Sequence, residues 1–490
     1  LRKAVEVDPR YERAWLGLAL AYTQMGDVER AIEACERGRA LKAVWPELSR
    51  AHAGALEAAD RIEESVAVLE AAVAASPRDA DLRARLLLAL NYVPRAADDV
   101  LAAHRAFAAT VSSAPNPPAL DRDPTRPLRI GLLSGDLRTH SVGYFAEPLF
   151  AHAAADMAPV VFATNPPAEG DAMAQRFRAR AERWIECAFL DDAALDRAIR
   201  DAKIDVLIEL SGHTAGSRLA ALAAKPAPVI VSAIGYPNTT GHPAVDYRLI
   251  DATTDPSDGG CTERPLRLSP CFLCYVPPPD ASAPVMPDSS APITFGSFNL
   301  STKVSRETIA LWSSVLRAVE GSRLLIKSKS LGSAQGGSAA RTHFLARLAD
   351  GGIAPERVDF AGYTSGIAEH LALYGRMHVA LDTTPYNGTT TTCEALWMGV
   401  PVVTLEGDRH AARVGASLLR TAGLGELVAR NPEEFQRIAV GLAVDRDRVA
   451  AYRSSLRESL ASSPLCDAKG YAERFYREIR SIWAARCAAT

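Results

Sequence analysis

From residue 128 onward short apolar runs alternate with helical stretches, and the series occurs twice. The first set of strand-like runs lies at 128–134, 160–164, 204–210 and 229–233, and the second at 293–298, 323–327, 357–360, 378–381 and 402–405. Runs apolar on both faces, separated by helices, predict parallel sheets covered on both sides. Two doubly wound domains in tandem place a ligand in the cleft at the carboxyl ends of their strands. Pro277-Pro278-Pro279 and the proline-containing stretch 284–292 separate the two series. A last long helix, about 468–485, is expected to pack across one or both halves.

The front of the chain has a different period. Ala14-Trp15-Leu16-Gly17-Leu18-Ala19-Leu20-Ala21-Tyr22, the turn Gly26-Asp27 and Ala31-Ile32-Glu33 form the two-helix pattern of a tetratricopeptide repeat. Small residues let the helices approach, and aromatics fill the groove between them. A second copy starts near Pro46, turns at Asp60 and ends at Ser76-Pro77; residues 80 to about 113 read as a degenerate capping repeat. Asp8-Pro9 reads as the end of an earlier repeat. With no initiator Met and an entry in mid-pattern, the chain reads as truncated at its front. Stacked repeats present a concave surface suited to proteins or peptides, although two or three offer little groove. Ser113-Ala114-Pro115-Asn116-Pro117-Pro118 and Asp121-Arg122-Asp123-Pro124 mark a linker.

A net charge of −3 gives no field for non-specific binding of nucleic acid or an acidic membrane. No apolar run approaches the ~18 residues of a membrane span, and residues 1–7 lack the apolar core of a signal peptide. Of eight cysteines only Cys271 and Cys274 form a C-x-x-C, inside a segment, 270–275, that reads as a buried strand. With no second ligand pair they read as reduced core thiols, which points to the cytoplasm.

The most informative stretch is Asp382-Thr383-Thr384-Pro385-Tyr386-Asn387-Gly388-Thr389-Thr390-Thr391-Thr392-Cys393-Glu394. A strand ends, a Pro/Asn/Gly loop follows, and a helix starts within the threonines. Free N–H groups and a partial positive charge at that start favour an anion such as a diphosphate. The plain alternative is capping, for which one threonine suffices. Glu394 is placed to accept from a ribose hydroxyl or simply to complement the helix dipole. Phe298-Asn299-Leu300-Ser301-Thr302-Lys303 puts a lysine at the next strand end, where an ammonium would stabilise a departing diphosphate. Lys327 and Lys329 compete for that role. In the first half, 134–143 carries His140, a base or orienter for an acceptor hydroxyl, or a structural loop histidine. Glu209-Leu210-Ser211-Gly212-His213-Thr214 and the loop 235–243, with Tyr236, Pro237, Thr239 and Thr240, end two further strands at the same face. His213 and those four residues are offered as acceptor or sugar contacts, against ordinary turn chemistry. No Asp-x-Asp pair has a metal-binding context, so neither metal nor cofactor is expected beyond the donor itself.

Residues 235–241, 298–303 and 387–394 together resemble the O-linked N-acetylglucosamine transferase and SPINDLY family, glycosyltransferase family forty-one. The resemblance covers essentially the whole chain, including Ala89-Leu90-Asn91-Tyr92 through Ala103-His104-Arg105. It implies helical repeats followed by a GT-B fold of two Rossmann-like domains, and inverting, metal-independent transfer to Ser or Thr of proteins. The repeats occupy 1–112, the linker 113–127, the acceptor-side half 128–288 and the nucleotide-sugar half 289–490 with the terminal helix. By the same resemblance Lys303 contacts the donor diphosphate, Thr389, Thr390 and Thr391 lie on the phosphates beside Asn387 and Gly388, and Glu394 lies near the ribose. His370 stacks on the base, and His140 lies near the transferred sugar and acceptor. Members known for N-acetylglucosamine transfer have histidine where this chain has Thr389; the four threonines and 271–275 look more like the SPINDLY branch, whose plant members transfer fucose. The donor therefore stays open between UDP-N-acetylglucosamine and GDP-fucose. Rival readings are an enzyme acting on a small molecule or free sugar nucleotide, and a catalytically dead repeat scaffold.

Overall fold

Each repeat helix is stopped and started by its own turn chemistry. Asp27 caps the helix Val28–Leu41 by accepting from the Arg30 amide, and Pro46 opens the helix Pro46–Ala58 at a position where no N–H is needed. Gly26, with φ 75°, makes the turn between the helices Glu12–Gln24 and Val28–Leu41. Leu18, Ala34, Cys35, Trp45 and Leu48 pack between neighbouring helices, and Val28, Ile32, Ala55 and Leu56 fill the next layer. Each fully buried aliphatic side chain there contributes ~1.5–3 kcal/mol.

The computed structural model describes residues 1–111, 115–288, 290–332, 337–362 and 364–489. Ser113 and Ala114 at the head of the expected linker, and Ser289 at the start of the expected C-terminal half, lie outside the described residues. The chain divides into two units. One comprises Leu1–Ala96, Pro278–Asp408 and Gly425–Arg457; the other comprises Ala97–Pro277, Arg409–Leu424 and Glu458–Thr490.

The second of these units holds a seven-stranded sheet: β1 Ile130–Ser134, β2 Pro159–Ala163, β3 Arg183–Glu186, β4 Val206–Glu209, β5 Val229–Ser232, β6 Tyr247–Ile250 and β7 Arg264–Arg267. All pairs are parallel, in the order β3-β2-β1-β4-β5-β6-β7, with Ile130 opposite both Pro159 and Val206. Strands β1, β2, β4 and β5 are buried along their whole length, as a doubly covered sheet requires. The closing helix Ala468–Ala488 packs in this unit, where Tyr476 donates to the Leu149 carbonyl at 2.6 Å. Residues 271–275 are buried, but they form no strand. The Tyr275 amide donates to the Leu465 carbonyl and that of Phe272 to Asp251. The apolar run reports burial rather than a ladder.

The repeat-containing unit holds a six-stranded parallel sheet: β8 Thr294–Ser297, β9 Arg323–Ile326, β10 Val358–Phe360, β11 Val379–Leu381, β12 Val402–Leu405 and β13 Val428–Ala429. Its order is β10-β9-β8-β11-β12-β13. In both sheets the strand order reverses once, between β1 and β4 and between β8 and β11. Those switch points open crevices at the carboxyl ends, where such sheets bind ligands. Among the described residues no helix is long and apolar enough to cross a membrane.

Candidate active site

The loop leaving β11 is built around one buried carboxylate. Asp382 accepts from the amides of Thr383 and Gly388, both at 2.8 Å, and from the Thr404 hydroxyl at 2.7 Å. Asn387, fully buried, donates to the Thr383 carbonyl at 2.7 Å, and the hydroxyls of Ser305 and Thr308 hold the Thr384 carbonyl at 2.6 and 2.8 Å. A Cβ at 388 would lie 2.7 Å from the hydroxyls of Thr391 and Thr392, so a larger residue would displace the threonines at the helix start. The loop therefore delivers the chain rigidly into the helix Thr390–Trp397.

Thr389 precedes that helix with φ 137°, a conformation costing a β-branched residue ~1–3 kcal/mol, and its side chain makes no capping bond. The capping explanation for the threonine run thus fails at the position meant to cap. The N–H groups of Thr390, Thr391 and Thr392 open the helix without intrahelical acceptors. The Thr391 hydroxyl reaches across to Asn299 after β8, donating at 3.1 Å.

Lys303 comes from the short turn Ser301–Lys303 on the other side of the switch point. Its Nζ donates to the Asn387 carbonyl at 3.3 Å and lies 3.7 Å from the centroid of the Tyr386 ring. Among the described residues no carboxylate is within ion-pair distance of it. Burial lowers its pKa to about 8, against a smaller opposing pull from Asp382. This is a charge held at a helix start with no anion of its own. Lys327 is directed elsewhere, donating to Thr364 at 2.9 Å and to His370 Nδ1, and Lys329 sits in the turn Lys329–Leu331.

Beside the threonine helix, His370 Nε2 and the Tyr374 hydroxyl both meet Glu394 Oε2 at 3.0 Å. Nδ1 faces the Lys327 ammonium, which leaves Nε2 as the nitrogen that meets Glu394. Phe298 closes the group, 4.6 Å from the Tyr374 ring and 5.9 Å from that of His370. The structure brings His370, Glu394, Asn387, Gly388, the threonines and Lys303 into one unit around one crevice. Sequence reasoning missed Tyr374; its one signal was its position one helical turn after His370.

In the other unit His140 is the N-cap of the helix Ser141–Ala151, Nδ1 accepting from the Val142 amide at 3.3 Å. Its side chain is 41% exposed, 3.8 Å from Asp136, and its pKa is lowered, chiefly by burial. With Nδ1 engaged by the backbone, Nε2 is the nitrogen left to face a ligand. Glu209, at the end of β4, accepts from the amides of Ser211 and Gly212 at 2.6 and 2.8 Å; burial pushes its pKa up to about 7.

The five residues offered as acceptor contacts are buried. His213 Nε2 meets the Thr240 carbonyl at 2.7 Å, and the Tyr236 hydroxyl meets His104 at 2.7 Å. The Thr239 hydroxyl donates to Glu263 at 2.5 Å, and the Thr240 amide and hydroxyl donate to the same carboxylate. Pro237 is enclosed with them. The Gly241 turn, φ 66°, lies so close to the His104 carbonyl that a Cβ would come within 1.9 Å of it. Thr239 and Thr240 thereby satisfy Glu263, while His213 and Tyr236 are hydrogen-bonded within the same buried cluster.

Residues 116–262 and 284–475 match the family described as Glycosyl transferase family 41. The chain belongs to glycosyl transferase family 41. Its relatives include proteins described as probable UDP-N-acetylglucosamine–peptide N-acetylglucosaminyltransferase SPINDLY. That of Petunia hybrida is 41% identical over 82% of this chain and 44% of its own length. That of Arabidopsis thaliana is 40% identical over 82% and 45%. The chain thus spans about half the length of the curated relatives it matches. Among solved structures, a mutant of the Thermobaculum terrenum O-GlcNAc transferase superposes with a TM-score of 0.89 at 34% identity, covering 99% of this chain and 93% of that one. Repeats followed by two Rossmann-like domains, the GT-B class, is the fold of this family 41 chain.

Proposed function

We propose that the chain is an inverting, metal-independent protein O-glycosyltransferase that moves a sugar from a nucleotide donor to Ser or Thr. The observation that carries this reading is Lys303, whose ammonium has a ring face and a carbonyl for partners and stands beside an uncapped helix start. A nucleoside diphosphate supplies the missing negative charge. The acceptor oxygen attacks the anomeric carbon from the face opposite the diphosphate. The bond to the phosphate oxygen breaks, its electron pair leaves with the diphosphate, and the hydroxyl proton is lost to base. Lys303 and the N–H groups of Thr390, Thr391 and Thr392 stabilise the departing charge; a donor of that kind is worth about 10²–10³ in rate. Glu394 and His370 hold the nucleoside, and His140 orients the acceptor hydroxyl through Nε2. The repeats offer a surface for the polypeptide substrate, and eight cysteines, six of them buried, suit a cytoplasmic enzyme.

The donor is UDP-N-acetylglucosamine, as in the printed names of the relatives, or GDP-fucose. Calorimetry against UDP and GDP, then mass spectrometry of a modified acceptor, tests the proposal. Binding of one nucleotide and transfer of its sugar to protein support it. Donor consumption without a modified protein favours the small-molecule reading, and binding of neither nucleotide favours the scaffold.

A further inference from the structure

Two groups from the helical repeats touch the residues that hold Lys303, Tyr92 through Tyr386 and Asp60 through Arg347. The ring of Tyr92, just beyond the helix Ala80–Ala89, stacks on Tyr386 with centroids 5.4 Å apart and planes 22° from parallel. Tyr386 is the ring over which Lys303 Nζ sits at 3.7 Å. The second group is Asp60, fully buried between the helices Pro46–Ala58 and Ile62–Ala75, with φ 64°. It pairs with Arg347 of the helix Gly337–Asp350, whose other terminal nitrogen donates to the carbonyl of Val304, next to Lys303. One guanidinium therefore ties the turn between two repeat helices to the lysine turn. Ser301 completes the brace, its amide accepted by the Ser328 hydroxyl at 3.0 Å.

We propose that the repeats are a working part of the donor site, with Tyr92 and the Asp60–Arg347 pair acting as positioning residues that fix Lys303. The inference rests on the function proposed above and assigns the repeats a task besides holding substrate. A cation over a ring is attracted to the ring's face, so its position follows the tilt of that ring. Tyr386 can tilt only as far as its stacking partner allows. A displacement of ~1 Å at a charge-stabilising group lowers rate by up to ~10².

The test compares Tyr92→Leu, which removes the stack, with Tyr92→Phe, which keeps it, in the wild-type and Lys303→Met backgrounds. The probe is whichever of UDP-N-acetylglucosamine and GDP-fucose the enzyme turns over. Melting temperature and affinity for UDP and GDP are measured alongside. Tyr92→Leu is expected to lower kcat about tenfold or more, to leave KM for the acceptor in place and to move the alkaline limb of the pH profile. Tyr92→Phe restores kcat, and Tyr92→Leu has no added effect on the residual rate of Lys303→Met. The inference is overturned if kcat falls only with the folded fraction while the alkaline limb stays, if the two losses are independent, or if Phe fails to restore. Should Tyr92→Leu not fold, Tyr92→His, with a smaller ring, takes its place in the same comparison. A wild-type chain that binds neither nucleotide refutes the functional reading instead. One that binds and transfers while Tyr92→Leu matches it refutes only the positioning role.

Discussion

Replacing Lys303 by Met should make the free protein more stable and less active. Free lysine loses its proton near 10.5 and Lys303 near 8. The difference, 10.5 − 8 = 2.5, at ~1.4 kcal/mol each, puts the cost of a charged ammonium at neutral pH at ~3.5 kcal/mol. Partial exposure of the side chain reduces that to ~2 kcal/mol. Loss of the Tyr386 ring contact and the Asn387 carbonyl bond offsets ~1 kcal/mol. Methionine fills a similar volume, so the net is ~1 kcal/mol in favour of the variant, or ~2–4 °C in melting temperature. The folded state binds this proton less readily than the unfolded state. Its penalty is therefore complete below pH 8 and fades as pH rises from about 8 to 10.5, and the advantage of Lys303→Met should shrink over that interval. Scanning calorimetry from pH 7 to 10, with and without UDP or GDP, reads all of this. Nucleotide should stabilise the wild type and hardly stabilise the variant, whose turnover should fall by at least ~10². A variant less stable than wild type at pH 7, or one that keeps its turnover, refutes the reasoning.

His140→Ala should lower kcat by ~10² and leave nucleotide affinity unchanged in calorimetry, because His140 lies in the other unit from the donor residues; a weakened nucleotide affinity would contradict the division of labour. Glu394→Gln keeps the shape but removes the charge that receives His370 and Tyr374, and should weaken UDP or GDP binding about tenfold, ~1.4 kcal/mol. Unchanged affinity would remove Glu394 from the ribose. Gly235→Ala would place a Cβ 1.7 Å from the Leu210 carbonyl oxygen and should cost more than ~3 kcal/mol in chemical denaturation; a variant of wild-type stability would mean the 235–242 loop can move.

The central strands were legible because a doubly covered parallel strand is apolar at every position, as in β1 and β2. Four strands were not: Arg183–Glu186, Tyr247–Ile250, Arg264–Arg267 and the two-residue Val428–Ala429. Arg183–Glu186 has exposed ends and Arg264–Arg267 reads Arg-Pro-Leu-Arg, so neither carries the apolar signal of a buried run. The segment 271–275 shows the converse error, since complete burial can be met by irregular backbone whose amides find a carboxylate and a distant carbonyl. At the site, Lys303 and the threonine turn stood out because each ends a strand. His370 came only from the resemblance, because a histidine on a six-residue helix has no pattern of its own. The buried fate of Thr239 and Thr240 depends on Glu263, which no local pattern links to them. Asp60 and Arg347 stand 287 residues apart, beyond any periodicity.

The central claim is that a nucleoside diphosphate is held where Lys303 meets the start of the threonine helix. A crystal structure with UDP or GDP bound tests it most directly. The account predicts diphosphate oxygens within hydrogen-bond distance of Lys303 Nζ and of the amides of Thr390, Thr391 and Thr392, with the base beside His370. A diphosphate bound away from both, with Lys303 still resting on Tyr386, would contradict it.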